Sequence, residues 1–320
     1  MIRLFKACEP SPAVLEGLPD GWAIPTGAVW LDLINPTREE ELAVERALGF
    51  QVPTREEMAE IEASSRLYRQ ADATFMTADL LHHTDADLPL SAPVTFVLSA
   101  GPLVTVRYSE PRAFKLLGEK LDREPELCGG PVSVLMNLFE AIIDRMADVI
   151  ERISGEVDAV SDDVFGAPGR TNYARAIKRL GAAQHAAARI SDSLTGIDRA
   201  LTFVQLDERF DADPDAKEHL RTLSRDIQSL QGHLAGVVHA VNFQLNAALG
   251  LINIEQSGII KIFSVAAVAF LPPTLIASIY GMNFEHMPEL AQPWAYPVSL
   301  IAMVVSAVLP LIWFRKKGWL

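Results

Sequence analysis

Cysteine is almost missing from this chain: Cys8 and Cys128 are the two among 320 residues. They permit at most one disulfide and form no C-x-x-C pair, so a disulfide framework and a thiolate metal site are both excluded. Basic residues are also short, with 28 Lys and Arg against 41 Asp and Glu and a formal net charge of -13. Binding a phosphate backbone needs a basic surface, which rules out nucleic acid as the main partner and leaves cations as a better fit. There is no Walker-type loop ending in GK[ST], and ahead of the apolar C-terminal part there is neither G-x-S-x-G nor G-x-G-x-x-G. The usual signatures of ATP hydrolysis, a nucleophile elbow and a dinucleotide loop are therefore absent, and the chain does not read as an enzyme. The first twelve residues lack the apolar core of a signal peptide, so the N-terminal region is expected in the cytoplasm.

The most informative absence is that of charge near the C-terminus. Asp, Glu, Lys and Arg are all missing from Ile262 to Phe284 and again from Leu290 to Phe314. Each stretch supplies the ~20 apolar residues needed to cross a hydrocarbon core about 30 Å thick. Lys261 precedes the first span and Arg315, Lys316 and Lys317 follow the second, whereas the loop between them carries Glu285, His286 and Glu289. Basic residues favour the cytoplasmic side, so both termini are expected inside and the loop outside, in a plasma (inner) membrane. Trp294 and Tyr296 at one end of the second span, with Trp313 and Trp319 at the other, suit interfacial belts. Two spans cannot enclose a water-filled path alone, so a transport function needs several copies around an axis.

A long helical pattern leads into the first span. Asp213-Pro214 supplies an N-cap and a first-turn proline, and no strong breaker follows until Pro272-Pro273. One face carries Leu220, Leu223, Ile227, Leu230, Leu234, Val237, Val241, Leu245, Ala248 and Ile252, a core stripe at steps of three and four. The opposite face is small or polar apart from Phe243, and in the span its register becomes Ser257, Ile260, Ser264, Ala267, Leu271, Thr274, Ser278 and Gly281. Polar groups at membrane depth face protein or water, so this seam is either pore-lining or a close helix–helix contact. Its unbroken register from stalk to span favours one axis lined by one helix per subunit.

The first span ends on Tyr280-Gly281-Met282-Asn283-Phe284-Glu285-His286-Met287-Pro288-Glu289-Leu290, and the chain ends on Arg315-Lys316-Lys317-Gly318-Trp319-Leu320. Over about residues 256–320 the sequence resembles the CorA family of magnesium channels, whose signature is Gly-Met-Asn followed by an acidic loop and a basic ending. The resemblance implies a funnel-shaped homopentamer, in which four further copies join each chain and the first spans surround the pore. It places an outer ion site at Gly281, Met282 and Asn283, with Mg2+ as transported and regulatory ion and Co2+ or Ni2+ as further cargo. It also implies closure by intracellular Mg2+, at ligands no local motif assigns. Leu271 and Ile260 are the bulky apolar members of the seam and fall where the family has hydrophobic constrictions. Thr274 and Ser278 would form polar rings, and Ser257 departs from the Asn that many relatives carry.

The chemistry agrees. Mg2+ dehydrates reluctantly, so amide oxygens of Asn283 suit a hydrated ion, and Glu285 and Glu289 can concentrate cations. A divalent ion gains roughly 4.6 kcal/mol per 100 mV, so passive entry suffices. A zinc transporter of the related group is the nearest alternative, although its members typically replace Met282 by Ile. A membrane-anchored receptor or enzyme is a more remote one.

The expected class is α+β: an α/β sandwich domain over 1–130, a long helical hairpin over 131–213, and the stalk and spans over 214–320. The first span covers about 259–283, the outer loop about 284–293 and the second span about 294–314. Strands are expected at Arg3 to Cys8, Ala28 to Ile34, Thr74 to Leu81, Val94 to Leu98 and Leu103 to Tyr108. Helices are expected at Thr37 to Leu48, Pro111 to Arg123, Val132 to Val164 and Asn172 to Val204, with Gly166-Ala167-Pro168-Gly169 as the hairpin turn. Asp211-x-Asp213-x-Asp215 lacks the Gly and the bidentate Glu of an EF-hand. His82-His83-x-Asp85-x-Asp87 reads as a polar strand end rather than a metal site.

Overall fold

The computed structural model describes every residue except 10, 16, 20, 87, 167–171, 212, 284, 285, 319 and 320, and omits the side chain of Asp211. The chain forms two compact units, Met1–Leu245 and Asn246–Leu320.

The first unit is built on a seven-stranded mixed sheet. Its strands are β1 (Ile2–Lys6), β2 (Ala13–Leu15), β3 (Ala28–Ile34), β4 (Leu67–Gln70), β5 (Ala73–His82), β6 (Leu90–Leu98) and β7 (Leu103–Arg107), in the order β2-β1-β3-β7-β6-β5-β4. The central pair β3 and β7 is parallel and all other pairs are antiparallel. Because β5 and β7 both oppose β6, the carboxyl ends of β3, β5 and β7 share one edge of the sheet.

Near-continuous apolar runs such as Ala28–Ile34 arise because both faces of the sheet are covered. On one face Leu31, Leu33, Val104 and Val106 pack with Val44 and Leu48 of α1 (Arg38–Leu48). The expected capping box starts that helix: Thr37 Oγ1 accepts from the Glu40 N–H at 3.3 Å, and the Thr37 N–H donates to Glu40 Oε2 at 2.9 Å. Gly49 ends it in the left-handed conformation, φ 80°, which glycine adopts without steric cost. Two short helices follow, α2 (Arg55–Met58) and α3 (Ala63–Arg66). On the other face the Phe5 and Trp30 rings stack at 4.2 Å beneath Phe114 of α4 (Arg112–Arg123), and Phe96 meets Phe139 of α5 (Pro131–Phe165). This is the α/β sandwich the sequence indicates. The edge strands β2 and β4 and the helices α2 and α3 were not expected, being three or four residues long and too short to show a period.

Helix α6 (Tyr173–Val204) returns antiparallel to α5, tied by Arg179 to Asp163 at 3.0 Å, and Asn172 caps its start. The expected hairpin turn lies mostly outside the described residues. Gly196 lets α6 approach the sheet, since a Cβ there would lie 3.3 Å from Ala78 of β5. After α7 (Glu208–Asp211), helix α8 (Pro214–Tyr280) begins on Asp213, whose Oδ1 accepts from the N–H groups of Asp215 and Ala216 at 3.1 Å. Up to residue 245, Leu220, Leu223, Ile227, Leu234, Val237 and Val241 are buried, and the opposite face from Thr222 to Phe243 is exposed. Truncating any one of these leucines or isoleucines to Ala would cost roughly 2–5 kcal/mol. His219 lies 4.0 Å from Glu140 and the Phe243 ring 6.2 Å from Phe165, so α8 runs parallel to α5.

The second unit contains the rest of α8, a short 3-10 turn at Pro288–Ala291 and α9 (Ala295–Lys316). Both helices are long and apolar enough to cross a membrane.

Candidate ion pathway

Helix α8 continues through Pro272-Pro273 and stops at Tyr280, three residues short of the expected end of the first span. Two prolines remove two N–H donors from the ladder. Thr274 Oγ1 bonds the Phe270 carbonyl at 2.7 Å, an i−4 back-bond of the kind that bends helices. Gly281 follows in a turn, with its N–H on the Ala277 carbonyl at 2.9 Å, and Met282 bonds Ile279 at 3.3 Å. A side chain at Gly281 would press on that same carbonyl at 3.1 Å. Gly281, Met282 and Asn283 are all exposed at the carboxyl end of the helix, where the macrodipole places about half a negative charge.

Along the span, Ser257, Ile260, Ala267, Leu271, Thr274 and Ser278 are exposed and Ser264 is half-buried. Among described residues from 257 onward, only Val265 and Phe314 are buried. The other partly covered positions of the first span include Ala269, Pro272, Pro273 and Ile276, which follow Val265 at steps of three and four. At about 100° per residue, the centre of this covered face lies roughly 180° from the centre of the polar seam. The seam, Ser264 apart, is thus the exposed side of the helix.

What the seam offers chemically is acceptor oxygen. A hydrated cation presents water hydrogens outward, so an inner wall must accept hydrogen bonds. The Thr274 hydroxyl donates to Phe270 and keeps its oxygen lone pairs as acceptors. Ser299 and Ser306 of α9 likewise donate to their own helix, at 2.8 Å each, so their hydroxyl protons are satisfied within the span.

At the loop, His286 and Glu289 are exposed, and Glu285 lies outside the described residues. Lys261 is exposed inside α8 and Arg315, Lys316 and Lys317 are exposed at the carboxyl end of α9, where the Lys317 ammonium lies 4.8 Å above the Trp313 ring.

Among the described residues, no group of three or more His, Cys, Asp or Glu side chains could hold a metal. Asp85 is instead held by Arg112 and by Arg145 at 2.7 Å; burial would raise its pKa, but the two guanidiniums outweigh this and keep the carboxyl below its ordinary value. Asp87 lies outside the described residues. Burial lowers the His82 pKa, with His83 and Arg189 adding to the effect, so the neutral ring is favoured. In the EF-hand-like run, Asp213 spends its carboxylate as the cap of α8.

The helices hold a feature that periodicity did not reveal. Asp144 of α5 has its pKa raised, first by burial and then by Glu140, Asp148 and Asp226 of α8, with Lys120 opposing. The signal in the sequence was only a line of acids at steps of four, which a solvated face also produces.

Residues 25–316 match the family model described as CorA-like Mg2+ transporter protein. The chain is 36% identical to the magnesium transport proteins CorA of Salmonella typhimurium and Escherichia coli K12, over 294 residues and 92% of each chain. In fold it is similar to the complete CorA magnesium transporter of Methanocaldococcus jannaschii, with a TM-score of 0.76 and 17% identity over 100% of this chain and 98% of that one.

Proposed function

The chain belongs to the CorA family, and from that premise we propose that it is a channel-type transporter of hydrated divalent cations, chiefly Mg2+, built from five copies. The family is one of transporters, not enzymes. The observation that carries the reading is the open polar seam opposite the covered face of the first span. Several copies around an axis would turn that seam into a water-filled wall, with Asn283 rings at the mouth and Thr274 and Ser278 rings beneath.

Each part has a stated task. Five Asn283 amide oxygens accept hydrogen bonds from the ion's water shell and leave the shell intact, which suits an ion that dehydrates reluctantly. Five helix carboxyl ends add negative potential at the same level. Glu285 and Glu289 raise the local cation concentration without binding tightly enough to slow release. Leu271 and Ile260 close the path by dewetting when the helices approach. Lys261 and the tail residues Arg315 to Lys317 fix the inner face of the membrane. Intracellular Mg2+ bound between copies relieves carboxylate repulsion and holds the closed state, and Co2+ and Ni2+ pass as hydrated ions of similar size and charge.

The test is Mg2+ uptake into liposomes containing the purified full chain, under an imposed inside-negative potential. Wild type is expected to take up Mg2+ and Asn283→Ala to lose at least about tenfold of the rate. Equal uptake by both removes Asn283 from the site, and no uptake by either overturns the channel.

A further inference from the structure

A crevice of about 590 Å³ opens at the sheet edge shared by the carboxyl ends of β3, β5 and β7. Here the parallel neighbours part: β3 leads to α1 on one face and β7 leads to α4 on the other. In open α/β sheets this switch point is where ligands bind. Its size suits a small molecule rather than a polypeptide.

The lining carries four basic side chains against three carboxylates, whereas the chain as a whole is acidic. Arg3, Arg107, Arg112 and Lys115 reach it, and His83 joins them from the turn after β5. Arg3 is half-buried and makes no ion pair with any described residue. Arg107 forms the floor, where its guanidinium is bidentate on buried Asp32 at 2.9 and 2.8 Å and lies 4.5 Å over the Phe114 ring. Asp85 serves Arg112 and Arg145 together, so one carboxylate holds two guanidiniums in place. Among the described residues Lys115 pairs with Glu119 alone, at 3.8 Å on the exposed surface. Besides Asp85, the lining carboxylates are Glu110 and Glu119, both exposed.

The start of α4 adds hydrogen-bond donors. Helix α4, twelve residues long, starts at the crevice with no side-chain cap and no acid in its first turn, so its first N–H groups are open to an anion.

We propose that this crevice binds an oligophosphate anion, such as the phosphate chain of a nucleoside polyphosphate. Planar guanidiniums bind phosphate oxygens in pairs, and a chain of two or three phosphates can span Arg3, Arg112 and the start of α4 at once. The site stands on the sheet domain alone and does not depend on transport.

Calorimetric titration of the full-length chain in detergent with inorganic tripolyphosphate, free of divalent metal, tests it. One site per chain is expected, with affinity reduced about tenfold or more by Arg3→Ala and by Arg112→Ala. Arg3→Lys should keep part of the affinity, and Arg179→Ala, on α6 beside Asp163, should keep all of it. A melting temperature unchanged by Arg3→Ala separates lost binding from lost folding. No saturable binding, or binding unaffected by Arg3→Ala and Arg112→Ala, overturns the site. Equal loss with Arg179→Ala would reduce it to general charge attraction and also overturns it. Binding to micelles containing phosphatidic acid, with none to tripolyphosphate, assigns the phosphates to a lipid headgroup and overturns the free-anion reading.

Discussion

Asp32 and Arg107 are a charged pair inside the sheet, 2% and 3% exposed, and they illustrate what one residue's neighbours decide. Trp30 Nε1 donates to Thr105 Oγ1 at 3.0 Å, and Thr105 in turn donates to Asp32 at 2.8 Å, so each polar atom in the chain of bonds is used. Removing one partner of such a pair leaves an uncompensated buried charge. Asp32→Ala is expected to cost roughly 3–5 kcal/mol, read as a lower melting temperature of the detergent-solubilised chain. Asp32→Ala with Arg107→Met should recover much of the loss. Sequence reading placed Asp32 in a strand, Ala28 to Ile34, but its partner is 75 residues away and no local pattern points to it. Asp85 is the converse case: a ligand-like spacing with His82 and His83 becomes, in space, a clamp between two arginines from α4 and α5.

Helices were the most legible elements, because a period of 3.6 repeated over many turns is hard to imitate. The α8 stripe from Leu220 to Val241 is buried as its spacing indicates, apart from half-buried Leu230, and Thr37 and Asp213 cap the helices they precede. The end of the first span was less legible: Gly281 closes it at Tyr280, whereas apolar composition runs on to Phe284. Edge strands β2 and β4 escaped because three or four residues carry no period. What two helices do to each other's charges also needs the packing. Burial first, and then Glu140, Asp148 and Asp226 of α8 against an opposing Lys120, raise the folded pKa of Asp144 above its ordinary 3.8. A raised folded pKa contributes stability below 3.8 that is lost as pH rises through the folded value. Asp144→Asn should therefore raise the melting temperature at pH 7, and its advantage over wild type should vanish as pH falls below about 3.8, measured by a melting series.

For the whole molecule, the question is what several copies build that one cannot. A single chain leaves its polar seam uncovered, and membrane-depth Ser and Thr must meet either a partner helix or water. The proposed pentamer resolves this with a water-filled axis, in which Ala267 faces the ions and Ala269, on the partly covered side, does not. Both are alanines of one helix, two positions apart, so exchanging either for cysteine changes size alike. The decisive measurement is Mg2+ uptake into liposomes by Ala267→Cys and Ala269→Cys, in a background lacking Cys8 and Cys128, before and after a charged, water-soluble thiol reagent. The account predicts that the reagent blocks uptake through Ala267→Cys and leaves Ala269→Cys conducting. Block at Ala269→Cys with Ala267→Cys unaffected would contradict it.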